Sequence, residues 1–204
     1  EWTNYPVLRF DLSGAKHKDK EQLTEYLLYI LEENERRLGV SADYPNPNIR
    51  LANLITSVYE KTGKQVVVLI DEYDAPIQQA GEHGFYTECI AFMKQFLGSV
   101  LKGNRDLDFA VLTGVLRVAK ESIFSDLNNL DVCSVMDAAY REVIGFTPQE
   151  VAQMAEDLTM AEALPDLKKW YDGYLFGGAE IYNPWSIINF FRHGEVGDYW
   201  VNTS

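Results

Sequence analysis

The chain is short of basic charge, of sulfur and of long apolar runs. Lys and Arg number 18 against 31 Asp and Glu, a formal charge of -13 over 204 residues. So acidic a chain repels a phosphate backbone unless a local basic run overrides it, and the sequence has no such run. Direct nucleic-acid binding by this segment is therefore not expected. There are two cysteines, Cys89 and Cys133, far apart and without metal-type spacing. A reduced, cytoplasmic setting is the simplest fit. His17, His83 and His193 lie in polar surroundings with no partner at ligand spacing, so neither a zinc site nor a Ser-His-Asp or Cys-His arrangement is expected. No stretch approaches the roughly 20 apolar residues of a membrane helix, and Glu1-Trp2-Thr3-Asn4 does not open a signal peptide. Repeats and low-complexity segments are also missing. The first residue is not Met and a strand-like run follows almost at once, so a piece of a longer protein is expected.

What is present is ample core material, with a hydrophobic fraction of 47% and an aromatic fraction of 13%. The chain is organised around Val66-Val67-Val68-Leu69-Ile70-Asp71-Glu72-Tyr73-Asp74. A strand with one wet face alternates apolar and polar residues, whereas an unbroken run fits a strand covered on both faces, as in a parallel α/β sheet. The acids then fall at the carboxyl edge, where open α/β sheets bind ligands. This is the form of a Walker B segment, with Asp71 holding Mg²⁺ and Glu72 as catalytic base. The plain alternative is a strand that ends in a turn-forming Asp.

The rest of the chain alternates in the same way. Pro6 to Leu12 reads as a strand broken by Ser13-Gly14. A helix from about Asp19 carries Leu23, Leu27, Ile30 and Leu31 and ends at Gly39. A second helix spans Asn48 to Lys61. Pro76 and the Gly81–Gly84 turn are expected to separate the acidic strand from a long helix through Phe92 and Phe96, closed by Gly103. Asp108 to Gly114 is the next strand. It ends in Thr113, the slot of a sensor residue whose hydroxyl can meet a phosphate oxygen or the attacking water; an ordinary Thr-Gly turn is the alternative. Arg117 and Lys120 follow, either as cations serving a phosphate site or as a solvated surface pair.

Tyr140 to Phe146 is a candidate short strand. Thr147, Pro148 and Glu150 then announce a helix, as N-cap, first-turn proline and capping-box partner. Asp172 to Gly178 reads as a turn-rich aromatic segment, and Asn183-Pro184 starts a last helix stopped by Gly194. The expected fold is α/β, a parallel sheet flanked by helices of the additional-strand P-loop NTPase type. Residues 1–146 form its core and residues 147–204 a small helical lid.

Four segments together carry a resemblance: Leu-Ile-Asp-Glu-Tyr-Asp-Ala-Pro (69–76), the run from Leu112 to Leu130, Trp-Tyr-Asp-Gly-Tyr-Leu-Phe-Gly (170–177) and Tyr-Asn-Pro-Trp-Ser-Ile-Ile-Asn (182–189). In this order they resemble the prokaryotic AAA-ATPase-like family, over essentially the whole chain. The resemblance implies a P-loop ATPase using ATP and Mg²⁺, often joined to a C-terminal PD-(D/E)XK nuclease-like domain. Members carry a Walker A loop upstream of the strand at which this chain begins, and no Gly-x-x-x-x-Gly-Lys-Ser/Thr occurs here. The chain is thus expected to be the middle of such a protein, with weak or absent ATP affinity by itself.

Two functions follow from this reading. The first is an ATPase in which Asp71 binds Mg²⁺, Glu72 activates water, Thr113 senses the γ-phosphate, Arg117 stabilises charge and Lys120 contacts nucleotide. The second is a non-catalytic binding or regulatory module that keeps the fold and presents the 114–130 loop or the aromatic tail to a protein partner or a second copy. A hydrolase using Asp71, Glu72 and Asp74 directly on a metal is a third, disfavoured because consecutive strand residues face opposite ways.

Overall fold

The computed structural model describes residues 4–115, 123–124 and 130–202. The chain divides into two compact units, 1–130 and 131–204. The segment before Thr147 is thereby grouped with the second unit, ahead of the 146/147 boundary expected from sequence.

In the first unit three parallel strands lie in the order β1 (Val7–Asp11), β2 (Val66–Asp71) and β3 (Leu107–Leu112). Four helices connect them: α1 (Lys20–Leu38), α2 (Pro47–Thr62), α3 (Ala75–His83) and α4 (Tyr86–Leu101). Parallel strands need crossovers of this kind. Each helix starts and stops where local chemistry directs. The Asp19 side chain accepts from Gln22 N–H to cap α1, and Gly39 ends it at φ 64, left-handed backbone that a glycine adopts without strain. Leu23, Leu27 and Leu31 on α1, Leu51, Leu54 and Ile55 on α2, and Met93, Phe96 and Leu97 on α4 pack with Leu8, Phe10, Val66, Val68 and Ile70 into one core.

β2 is the central strand, and Val66, Val67, Val68 and Ile70 are all buried, as its unbroken apolar run requires. The two edges of the sheet differ. On β1, α1 side chains bond four of the outward backbone groups. Asn34 Oδ1 accepts from Arg9 N–H at 2.9 Å while its Nδ2 donates to Arg9 O at 2.8 Å. Arg37 Nη2 donates to Val7 O at 2.5 Å, and the Tyr26 hydroxyl donates to Asp11 O at 3.0 Å. On β3, Thr113 N–H bonds back to Ile70 O. The alternation of a parallel ladder therefore turns the N–H and C=O of Ala110 and Leu112 away from β2. No hydrogen bond to them is made among the described residues. Phe109 and Val111, on the face opposite Ala110 and Leu112, are 48% and 46% exposed.

One expectation for this unit fails. Pro76 and the Gly81–Gly84 turn do not simply separate strand from helix, because Ala75–His83 is itself the helix α3. Proline at the second helical position forfeits only an N–H that has no partner in a first turn. Gly84, at φ 82, is the left-handed cap that ends it.

The second unit holds α5 (Pro148–Asp157), α6 (Leu164–Tyr171), α7 (Pro184–His193) and an antiparallel hairpin of β4 (Asp172–Phe176) with β5 (Ala179–Tyr182). It also has two short 3-10 turns, Ala161–Ala163 and Tyr199–Asn202. Thr147 and Glu150 form the expected reciprocal capping box. The unit is not purely helical. The turn-rich aromatic segment is a hairpin whose Gly177 and Gly178 both take positive φ, the backbone that matches the twist of two paired strands. The expected strand over Tyr140–Phe146 reduces to a single bridge from Phe146 to Tyr182. The residues before it fold into successive turns, with Tyr140 N–H on Asp137 O and Val143 N–H on Tyr140 O.

Candidate active site at the carboxyl edge of the sheet

The three strands end at one edge, and their parallel register sets side by side the polar residues that follow the apolar runs. Asp11 on β1 is the ladder partner of Asp71 on β2. Thr113, one residue past β3, is tied to β2 on both sides, its N–H on Ile70 O at 2.9 Å and its C=O accepting from Tyr73 N–H at 3.0 Å. This fixes the Thr113 side chain over the end of β2, where its hydroxyl donates to Asp71 Oδ1. The same oxygen accepts from the Glu72 backbone N–H at 3.1 Å.

Glu72 leaves the strand at φ 50, left-handed backbone that is uncommon for a residue with a side chain. Strain of this kind costs about 1–3 kcal/mol and persists where the surroundings impose it. Here Tyr73 N–H is held by Thr113 O, and Ala75 N–H closes a turn onto Glu72 O at 3.0 Å. The Glu72 side chain stands in solvent beside Asp71. Because the chain turns there, strand alternation does not govern how Asp71 and Glu72 are placed.

Behind this edge Asp74 is buried, 1% exposed, and accepts from Gln78 Nε2 at 2.9 Å. Gly114 passes so close that a Cβ on it would lie 2.5 Å from Asp74 Oδ1 and 2.7 Å from Tyr73 Cε1. On β1, Asp11 Oδ1 accepts from the Ser13 hydroxyl at 2.6 Å and from Ser13 N–H at 3.0 Å. These bonds, the hydroxyl's first, hold the Asp11 carboxyl below the usual carboxylate range.

Asp71, Glu72 and Thr113 thus lie together at this edge. Arg117 and Lys120 lie outside the described residues. Asp11, Ser13 and Gly114 were not singled out as site residues from the sequence, and Asp74, read there only as a possible metal ligand, is instead buried behind the edge. The signal for Asp11 was its place at the end of the first apolar strand, matching Asp71 at the end of the second. Gly114 gave no local signal, since the need for a glycine there comes from the approach of Asp74 and Tyr73.

The donor set fits a hard cation of the Mg²⁺ type in one respect. Asp71 offers a carboxylate whose Oδ2 has no partner among the described residues. No group of three or more His, Cys, Asp or Glu side chains able to hold a metal occurs among the described residues. A cation here would depend on Asp71, on water and on substrate oxygens, which is how Mg²⁺ is usually held.

Residues 1–124 match the family model described as predicted AAA-ATPase, AAA-ATPase-like. An uncharacterised protein in the vnfD 5′ region of Azotobacter chroococcum mcd 1 is 33% identical over 210 residues. The alignment covers 100% of this chain and 40% of that relative, so the chain spans well under half the length of the protein it matches. No solved structure matches the chain. Among the described residues no helix is long and apolar enough to cross a membrane. With its parallel α/β sheet, its acidic strand end and a family match over residues 1–124, the chain belongs to the predicted AAA-ATPase-like family.

Proposed function

We propose that the carboxyl edge of the β1–β2–β3 sheet is the Mg²⁺–nucleotide end of an ATPase, completed by polypeptide beyond these 204 residues. The observation that carries this reading is the hydrogen bond from the Thr113 hydroxyl to Asp71 Oδ1, across two adjacent parallel strands. It gives the acid at the end of β2 a fixed orientation and leaves the second carboxylate oxygen for a hydrated cation. When bound, Mg²⁺ would neutralise phosphate charge. Asp71 holds the cation's water shell. Thr113 keeps Asp71 in place with its one hydroxyl proton, and its hydroxyl oxygen remains an acceptor for the attacking water beside the γ-phosphate. Glu72, turned out of the strand, accepts a proton from the attacking water. Arg117 stabilises charge on the transferred group and Lys120 contacts nucleotide, both as read from the sequence.

The test is Glu72→Gln in the full-length natural protein. ATP binding with Mg²⁺ is expected to persist while phosphate release stops. Normal turnover in this variant would remove Glu72 as the base. A wild-type protein that releases no phosphate would favour the non-catalytic binding module.

A further inference from the structure

Away from the carboxylate edge, a groove of about 500 Å³ lies between β1 and α1. That volume is within the range of small-molecule sites. Three arginines line it, Arg9, Arg36 and Arg37, in a chain whose formal charge is -13. Arg36 is neutralised by Glu33 at 3.1 Å. The Arg9 side chain makes no hydrogen bond or ion pair among the described residues. Arg37 is anchored by neutral groups, donating through Nη2 to Val7 O at 2.5 Å and Asn34 Oδ1 at 2.8 Å. Asn34 is itself locked by its two bonds to the Arg9 backbone and a third from Nδ2 to Ile30 O at 2.9 Å.

The groove therefore presents two guanidiniums, Arg9 and Arg37, that make no ion pair among the described residues, in a lining of three cations and the two carboxylates of Asp11 and Glu33. Burial and the nearby Arg9 charge both hold Arg37 below the usual guanidinium range, as two like charges turned toward one space should. The other acid in the groove, Asp11, keeps its negative charge, with Oδ1 held by Ser13. The carbonyl end of α1 adds little opposing charge, because Lys61 Nζ donates to Leu38 O at 2.9 Å and Gly39 O at 2.8 Å. Tyr26, Tyr29 and Ile30 supply an apolar wall.

We infer that the groove between β1 and α1 binds a small phosphate monoester, with its dianionic group on Arg9 and Arg37 and its organic part against Tyr29. Two unpaired guanidinium forks offer donors for all the terminal oxygens of a phosphate monoester. A carboxylate has only two oxygens and leaves the donors of one guanidinium unmatched. Four outward groups of the β1 backbone are already bonded by side chains, so the groove is free for a ligand instead of another strand. This site reaches the carboxyl edge only at Asp11, does not include Asp71 or Thr113, and does not rest on the ATPase reading.

The test is calorimetric titration of the protein with phenyl phosphate, inorganic phosphate and benzoate. Saturable one-site binding of phenyl phosphate is expected, tighter than inorganic phosphate, with benzoate weakest. Arg9→Gln should weaken phenyl phosphate about tenfold, the loss of one charge-assisted contact. Its melting temperature should hold, since the Arg9 side chain has no partner to lose. Tyr29→Ala, at a residue 56% exposed, should weaken phenyl phosphate and leave inorganic phosphate unchanged. Absence of saturable binding would overturn the inference, as would unchanged affinity in Arg9→Gln or benzoate binding as tightly as phenyl phosphate. Binding lost in Asp71→Asn but kept in Arg9→Gln would place the anion at the other site, and so would also overturn it.

Discussion

Thr113 follows β3 directly, Asp71 ends the neighbouring parallel strand β2, and the hydroxyl of the first donates to the carboxylate of the second. Thr113→Val keeps the shape and deletes the donor. In the full-length protein it should lower ATP turnover about ten- to a hundredfold, the range for a hydrogen bond to a charged group. Thr113→Ser should recover most of the rate. Steady-state phosphate release reads both variants, and a valine variant at the wild-type rate would detach Thr113 from the chemistry.

Glu72 keeps its left-handed backbone at a cost that glycine does not bear. Glu72→Gly should therefore raise stability by about 1 kcal/mol while abolishing turnover. Urea denaturation beside a phosphate-release assay would show stability and activity moving in opposite directions. If stability fell instead, the backbone at Glu72 would not be strained.

Glu35 and Arg50 join α1 to α2 through two hydrogen bonds, Nε to Oε1 at 2.6 Å and Nη2 to Oε2 at 2.9 Å. The side chains are only 8% and 13% exposed. Glu35→Ala strands the Arg50 guanidinium in that setting and should cost about 3 kcal/mol. Replacing both together, with Glu35→Leu and Arg50→Met, should cost much less. A denaturant series on the two variants measures the difference, and equal losses would mean that the pair has no mutual dependence.

His17 is 2% exposed, packed edge-on against Phe85, with Nε2 donating to Pro76 O at 3.0 Å. Nδ1 has no partner among the described residues. Burial pushes this imidazole below its ordinary range, and the positive charge of His83 adds to the effect. The Pro76 bond and the Asp19 charge oppose it. The unfolded chain therefore takes up the proton first. Stability should fall as pH drops below about 6.5 and keep falling until the folded pKa is passed. Urea midpoints between pH 7.5 and 5 check this. In His17→Phe the part of the slope due to this residue should vanish.

Sequence periodicity located the elements that obey local rules. Gly39 and Gly194 end helices in left-handed backbone, and Thr147 with Glu150 closes a capping box. The apolar run from Val66 to Ile70 marks the central strand, and Asp71 and Thr113 meet because parallel strands in register finish together. Elements that depend on alternative uses of proline and glycine were harder to read. Pro76 breaks a pattern on paper yet fits the first turn of α3. Gly177-Gly178 looks like loop and is the tip of a hairpin. The bonds between Asn34 and Arg9 join residues 25 apart in sequence, and no local pattern foretells them.

The unequal edges of the sheet give it a direction of growth. Adding a strand beside β1 would require Asn34, Arg37 and Tyr26 each to surrender a bond already made. Among the described residues nothing bonds the outward groups of Ala110 and Leu112, so a strand added beside β3 breaks no such bond and can shield Phe109 and Val111 in the same event. Whether the newcomer is the rest of the polypeptide, another protein or an aggregating neighbour, one flank of the fold is closed to it and the other is a template.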